Sequence, residues 1–446
     1  MMAGGARAAA LKALLRVDSE GAYSNLVLDH TLSEFHLEAR DRSLATTIFY
    51  GTLERRITLD YVIGRFSSTP FNKISPVALE ILRLGLYQIL YLDKVPASAA
   101  VDESVKLAKT CGAKRASGFV NAILRNFLRS GGRLPPFQSG TSPLRKLSVA
   151  YSCPEWIIAL WSRAYGKDIA FRLLKSMLQK PDLFARVNNT RIGEEQLIER
   201  LRLEGQNAVR VSWPDHAIRF DKGTDPARGR CWREGLFHIQ DLSSQVLCAL
   251  IAPQAGATVL DVCSAPGGKA FTLAESMKNS GTVLAFDKSR KKAGLIRKGA
   301  QRLCLSSVKT GVRNAAAPEE NPEPGEIVLC DVPCSGLGVL RRKPEIRYKS
   351  HDPIDSLPDL QYLILCKSSE LVKHGGLLFY STCTLNPAEN GSVARRFLTE
   401  HAEFLPHPIS LPQTFPRVVK EPRHQMTLLP YAHGTDGFFF AAFRRR

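Results

Sequence analysis

The sequence predicts two fold classes in series: an all-α region, then an α/β region built on a doubly wound parallel sheet. Three observations carry this. Apolar residues recur at helical spacing through the first ~135 residues. Gly131, Gly132, Pro135, Pro136 and Gly140 then break that pattern. Further on, from residue 233, short apolar runs of strand length alternate with helical stretches, which is the pattern of parallel strands joined by crossover helices.

Taken in order, helical spacing marks residues 9–17, 45–62 and 77–92. The last stretch has a start signal: Ser75 as cap and Pro76 at the first helical position, where a missing N–H costs nothing. A further helical stretch covers 99–129, with an interruption expected at Gly112. It contains Lys106, Lys109, Lys114, Arg115, Arg125 and Arg129, with Arg133 just beyond and no acidic residue between them. Charge alone leaves open whether this run is a solvated helix face or a phosphate contact. The middle of the chain predicts helices over 154–165 and 168–178 and strands over 184–188 and 208–211. The last part predicts strands over 258–262, 282–286, 327–330 and 377–380, with helices over 269–277, 290–303 and 360–373. Three regions follow: 1–137, 138–232 and 233–446. In such a sheet, ligands bind at the carboxyl ends of the strands.

Lys and Arg outnumber Asp and Glu by 61 to 42, a net charge of +19. That surplus favours a polyanionic partner, nucleic acid ahead of an anionic membrane. Charged residues at 23% and hydrophobic ones at 44% suit a soluble globular protein. The ten cysteines show no CxxC pair and no zinc or disulfide-scaffold spacing, so no metal is expected and a reducing cytosol is the natural compartment. Residues 1–10 lack a signal-peptide pattern, and no apolar run approaches the ~18 residues of a membrane span.

The first strand of the α/β region runs into DVCSAPGGK at 261–269. Cys263, Ser264, Ala265, Pro266, Gly267, Gly268 and Lys269 make a small-residue turn into a helix start. Such a turn lets backbone approach a ligand and offers free N–H groups. It is neither GxGxxG nor a phosphate-cradling loop, so a nucleoside-type ligand is expected rather than a dinucleotide or nucleotide triphosphate. Asp287, at the end of the next strand, suits the hydroxyls of a ribose.

Cys334 and Cys383 lie just past two other strand ends, in DVPCSGLG and STCT. Most cysteines are inert core residues, but two at strand mouths, one near an Asp and one among hydroxyls, suit covalent catalysis. Carbon 5 of cytosine is a poor nucleophile. A thiolate adding at carbon 6 makes it an enamine carbon able to attack an electrophilic methyl group, and a base must then remove the carbon 5 proton. Neighbouring cations would favour the thiolate. Chemistry alone does not say which cysteine attacks. Asp331 suits a hydrogen bond to the ring or its amine, or else only caps local backbone.

Three stretches, CSAPGGK at 263–269, DVPCSGLGVLRRKPEIRY at 331–348 and YSTCTLNPAEN at 380–390, resemble the signature blocks of the RNA 5-methylcytosine methyltransferases, in the bacterial RsmB (Sun/Fmu) type. KISPVALEILRLGLYQILYLDKVPASAAVDESV and GFVNAILRN resemble the NusB-like domain of that type; YSCPEWIIALW and HGTDGFFFAAFRR match it too. The resemblance implies a Rossmann-like S-adenosyl-L-methionine-dependent methyltransferase domain preceded by an all-α NusB-like domain. The middle region, 138–232, would connect them and contact RNA. The implied reaction is methylation of carbon 5 of a cytosine in small-subunit ribosomal RNA by a cytoplasmic monomer. By position, Cys383 would be the nucleophile and Cys334 the base. Residues 263–269 would hold the methionine part of S-adenosyl-L-methionine and Asp287 its ribose, with Asp331 between cofactor and base and Lys269 near the target ring. Gln240 and Asp241 match a structural segment. Asn314 stands where the family has an acidic residue at the adenine end, Tyr348 where Trp is common and Lys343 where His is common; the last two changes are expected to touch RNA contacts. Two other readings remain. A DNA cytosine methyltransferase would make Cys334 the nucleophile. A non-catalytic RNA-binding assembly factor would not bind the cofactor.

Overall fold

A computed structural model describes residues 5–21, 23–318, 320–349 and 352–446, with the side chains of Asp352 and Pro353 left aside. Met1–Gly4, part of the N-terminal stretch read above, lie outside the described residues. The chain divides into two compact units. One comprises Met1–Gln179 and Leu340–Lys349; the other comprises Lys180–Val339 and Ser350–Arg446.

The first unit is helical. Pro76–Tyr91 starts as expected, with the Ser75 side chain accepting from Ala78 N–H. Gly85 lets this helix approach its neighbours closely: a Cβ there would lie 2.7 Å from Ser104 Oγ and 2.9 Å from Leu124 Cδ1. The stretch 45–62 is not one helix. Ala39–Glu54 and Arg56–Phe66 meet at Arg55, whose φ of −105° and ψ of 9° leave the helical region. The break at Gly112 is real. Its φ of +89°, unfavourable for a residue with a side chain, separates Ala97–Thr110 from a short turn and Ser117–Arg129. Leu11, Phe49, Leu59, Ile81, Leu84, Leu124 and Phe127 are fully or almost fully buried between the helices.

Pro143–Tyr151, Glu155–Tyr165 and Lys167–Ser176 belong to this compact unit, which extends to Gln179. Hydrogen bonds explain it: Thr58 Oγ1 donates to Val149 O, and Ser152 Oγ accepts from Ile57 N–H at 3.0 Å. The segment Leu340–Lys349 is equally embedded, with Arg347 donating to Glu54 O and Met177 O. Tyr348 and Lys343 both make contacts within this unit. The Tyr348 hydroxyl donates to Leu53 O at 2.6 Å, and Lys343 Nζ sits 4.4 Å from the Tyr23 ring centroid.

The second unit holds two sheets. β1 (Leu183–Val187), β2 (Ala208–Arg210), β3 (Ala217–Phe220) and β4 (Phe237–Ile239) form an antiparallel sheet in the order β2-β3-β1-β4. The larger sheet contains β5 (Thr258–Asp261), β6 (Thr282–Asp287), β7 (Val308–Val312), β8 (Gly325–Asp331), β9 (Val372–Thr382), β10 (Phe404–Pro406), β11 (Gln425–Leu428) and β12 (Phe438–Arg445). Its order is β10-β12-β9-β8-β5-β6-β7, with β11 also on β12.

The five strands from β5 to β9 run parallel, as the alternation predicts. The sheet as a whole is mixed, because β12 runs antiparallel to all three of its partners, β9, β10 and β11. Phe438–Phe443 are all buried, so β12 has the continuous apolar run of a strand covered on both faces, which shows no alternation to read. The helix expected over 360–373 is Leu357–Ser369; Lys373 instead lies in β9, which begins at Val372 opposite Gly325. Because β5, β6, β8 and β9 are parallel, Asp261, Asp287, Asp331 and Thr382 end at one edge of the sheet.

Candidate active site

β5 ends at Asp261, and the loop to the helix Gly268–Ser276 is fixed by backbone. Ser264 N–H donates to Phe286 O at 2.7 Å, and Gly267 N–H to Ser264 O at 2.7 Å. Gly267 must lack a side chain: its φ is +110°, and a Cβ would lie 2.4 Å from the Phe271 ring. Beneath the loop, both carboxylate oxygens of Asp261 and the Ser264 hydroxyl are buried without a hydrogen bond of good geometry. Burial, then the charge of Asp331, push the Asp261 carboxyl up to about 7, although Ser264 and Lys269 act in the other direction. Asp287 is almost buried, and its Oδ1 accepts Ser289 N–H at 2.9 Å. Beyond it, Phe286, Lys288, Val312, Arg313 and Asn314 line part of a cavity of about 520 Å³. Asn314 Oδ1 accepts from its own loop at Ala316 N–H, 3.2 Å.

Asp331 and Lys269 meet across this edge. Lys269 Nζ donates to Asp331 Oδ2 at 2.6 Å, and Ser381 Oγ donates to Asp331 Oδ1 at 2.8 Å. The ammonium also lies 5.3 Å from the Phe438 ring centroid. Burial disfavours its charge, but Asp331, by charge and hydrogen bond, with Cys248 and Asp261, leaves the Lys269 pKa above its ordinary value. Breaking such a pair leaves an uncompensated, largely desolvated charge.

Cys334 and Cys383 come together. Their sulfurs are 3.2 Å apart, and both residues are partly exposed. Backbone ties hold the two loops: Val332 N–H to Ser381 O at 3.1 Å and Gly338 N–H to Cys383 O at 3.0 Å. Gly437 N–H donates in turn to Gly338 O at 2.9 Å, and a Cβ on Gly338 would fall 1.9 Å from Gly437 O. The Cys334 thiol is raised well above its ordinary pKa by its hydrogen bond with Cys383, by burial, and by the charges of Cys383 and Glu389. The pair can therefore hold one proton on Cys334 while the other sulfur reacts. Elsewhere in this unit, buried Cys248 and Cys330 are pushed up to about 12 by burial.

The structure thus brings the residues expected from sequence to one sheet edge: the loop 263–269, Asp287, Asp331, Cys334 and Cys383. Asn314 lies beside them on the loop after β7. Asp241 and Gln240 are structural, as expected. Asp241 Oδ1 caps Leu242–Ile251 through Ser243 N–H, and Gln240 Oε1 accepts from Thr272. Sequence reasoning missed Ser381, Gln361 and Glu389, whose partners come from distant segments. Among the described residues no group of acidic, His and Cys side chains could hold a metal ion, and no helix is long and apolar enough to cross a membrane.

Comparison with known proteins shows what the chain is similar to. Residues 248–444 match the family described as 16S rRNA methyltransferase RsmB/F, residues 5–129 the NusB family, and residues 153–226 an RsmF/B-like ferredoxin-like domain. The chain is 37% identical over 442 residues to a probable ribosomal RNA small subunit methyltransferase B of Bacillus subtilis, covering 98% of each. It is 34% identical to a probable enzyme of the same description in Synechocystis, covering 99% of each. Among solved structures, PH0851 is similar with a TM-score of 0.84 at 25% identity, over 99% of this chain and 98% of that one. A methyltransferase homolog from Pyrococcus horikoshii is similar with a TM-score of 0.60 at 27% identity, over 68% of this chain and all of that one.

Proposed function

The chain belongs to the RsmB/F family of ribosomal RNA methyltransferases, and from that premise we propose that it methylates carbon 5 of a cytosine in small-subunit ribosomal RNA, using S-adenosyl-L-methionine and a covalent adduct to Cys383. The observation that carries this reading is the pair of thiols 3.2 Å apart at the sheet edge that also holds the loop 263–268 and Asp331. The residues fit the cofactor. Buried, unbonded Ser264 Oγ and the carboxylate row of Asp261, Asp287 and Asp331 suit a cationic, nucleoside-bearing ligand, and the cavity beside Asn314 suits its adenine end. Bound there, S-adenosyl-L-methionine supplies an electrophilic methyl group.

The chain's own groups do the rest. The Cys383 thiolate adds at carbon 6 of the ring, forming a C–S bond and making carbon 5 nucleophilic. Asp331, held by Lys269 and Ser381, orients the ring and steadies charge that develops on it. Once carbon 5 carries the methyl group, Cys334 gives its own proton to solvent and, as thiolate, takes the carbon 5 proton; the C–S bond breaks and Cys383 leaves as thiolate, so one proton is released per methyl group transferred. The net charge of +19 supports binding to RNA phosphates.

Full-length protein incubated with labelled cofactor and small-subunit ribosomal RNA is expected to label carbon 5 of one cytosine, read by bisulfite sequencing. Cys334→Ala is expected to accumulate a covalent protein–RNA complex on a denaturing gel. Normal turnover of that variant without a complex would falsify the two-cysteine scheme.

A further inference from the structure

The geometry points to Glu389 as the positioning residue of the thiol pair: it ties the Cys334 loop to the Cys383 loop and keeps the shared proton on Cys334, leaving Cys383 to attack. This rests on the reaction proposed above.

Glu389 is fully buried, and among the described residues the hydrogen-bond partners of its carboxylate are neutral donors. Oε2 accepts from Ser335 N–H at 2.8 Å and from Gln361 Nε2 at 2.9 Å. Oε1 accepts from Ser335 Oγ at 2.5 Å and from Asn386 Nδ2 at 2.9 Å. Ser335 follows Cys334 directly, and Gln361 also donates to Pro333 O at 2.9 Å, so both neighbours of Cys334 are bound to this cluster. The Cys383 loop is bound to it from the other side. Thr384 Oγ1 and Ser335 Oγ are 2.7 Å apart, and Asn386 belongs to the same loop. Tyr380, at the end of β9, donates to the backbone carbonyl of Glu389.

A buried carboxylate is costly unless its lone pairs are filled, so these donors specify one arrangement of the two loops. Its negative charge also bears on Cys334, where it adds to the cost of forming a thiolate. A neutral side chain would weaken both effects. Glutamine cannot reproduce the bonds: its NH2 would face the donors of either Ser335 N–H and Gln361 or Asn386.

The test uses full-length protein without RNA or cofactor. Limiting iodoacetamide is applied across a pH series, and each cysteine is quantified by peptide mass spectrometry. In the wild type Cys383 is expected to be alkylated ahead of Cys334. Glu389→Gln should lower the Cys383-to-Cys334 ratio by about tenfold, as a shift of about one pKa unit requires. Glu389→Asp, which keeps the charge, and Ser335→Ala, which removes only a hydroxyl, should keep the wild-type order. An unchanged ratio in folded Glu389→Gln, checked by circular dichroism, overturns the assignment. If that variant does not fold, the wild-type order decides, and alkylation of Cys334 first overturns it. Because alkylation needs no methyl transfer, a protein that shows the expected order but does not methylate ribosomal RNA refutes the reaction alone.

Discussion

The loop at 263–268 and the two loops carrying Cys334 and Cys383 face the same sheet edge, yet they are held by different means. The first is a backbone device: its shape comes from Ser264 and Gly267 N–H groups and from a glycine at φ +110° that packs on Phe271. The second also has backbone ties, but its thiols are arranged by the side chains of Ser335, Gln361 and Asn386 converging on one buried carboxylate, with the Thr384 hydroxyl paired to that of Ser335. A backbone device depends on a few small residues adjacent in sequence and tolerates change elsewhere. A side-chain cluster depends on charge and fit at several distant positions, so single substitutions there are expected to alter chemistry rather than ligand binding.

Three substitutions sharpen this contrast. The largest effect belongs to the thiol side. Cys383→Ala should lower methyl transfer on the order of 10⁴-fold or more while cofactor binding, measured by calorimetry with S-adenosylhomocysteine, stays within about twofold. Loss of binding in that variant would erase the distinction between the two sides. On the other side, Asp287→Ala should weaken S-adenosylhomocysteine by about 10- to 100-fold, the worth of a charge-assisted hydrogen bond, and leave the alkylation order of the two thiols unchanged.

The smallest effect is thermal and concerns Asp261, beneath the backbone device. Its carboxyl ionises at an ordinary value of 3.8 when unfolded and at about 7 when folded. The folded state therefore binds the extra proton between those values, and this group's contribution to stability is fully present below pH 3.8 and is lost as pH rises through about 7. Asp261→Asn removes that dependence. Its Tm advantage over the wild type should be larger at about pH 8 than at about pH 5 by roughly 2 °C or more. An equal difference at both would show that the carboxyl is not buried in this way.

The sequence by itself determined the alternation of strand and helix from β5 to β9, the helical character of the first unit, and the presence of the loop 263–269, Asp287, Asp331, Cys334 and Cys383 at strand ends. These are local statements: periodicity, a turn of small residues, and a polar residue following an apolar run all lie within a short window. The roles of the two cysteines were legible only through resemblance. Tertiary structure alone decided three things. It broke the helical stretch at Arg55, because helix ends are set by what each half packs against. It placed β12 antiparallel against β9, because Phe438–Phe443, buried on both faces, carry no periodicity. It also brought Ser335, Gln361 and Glu389 into one cluster around the thiols, because hydrogen bonds between residues far apart in sequence leave no spacing signal. The sheet edge, where parallel strands deliver their ends together, is the physical reason those separate segments meet at all.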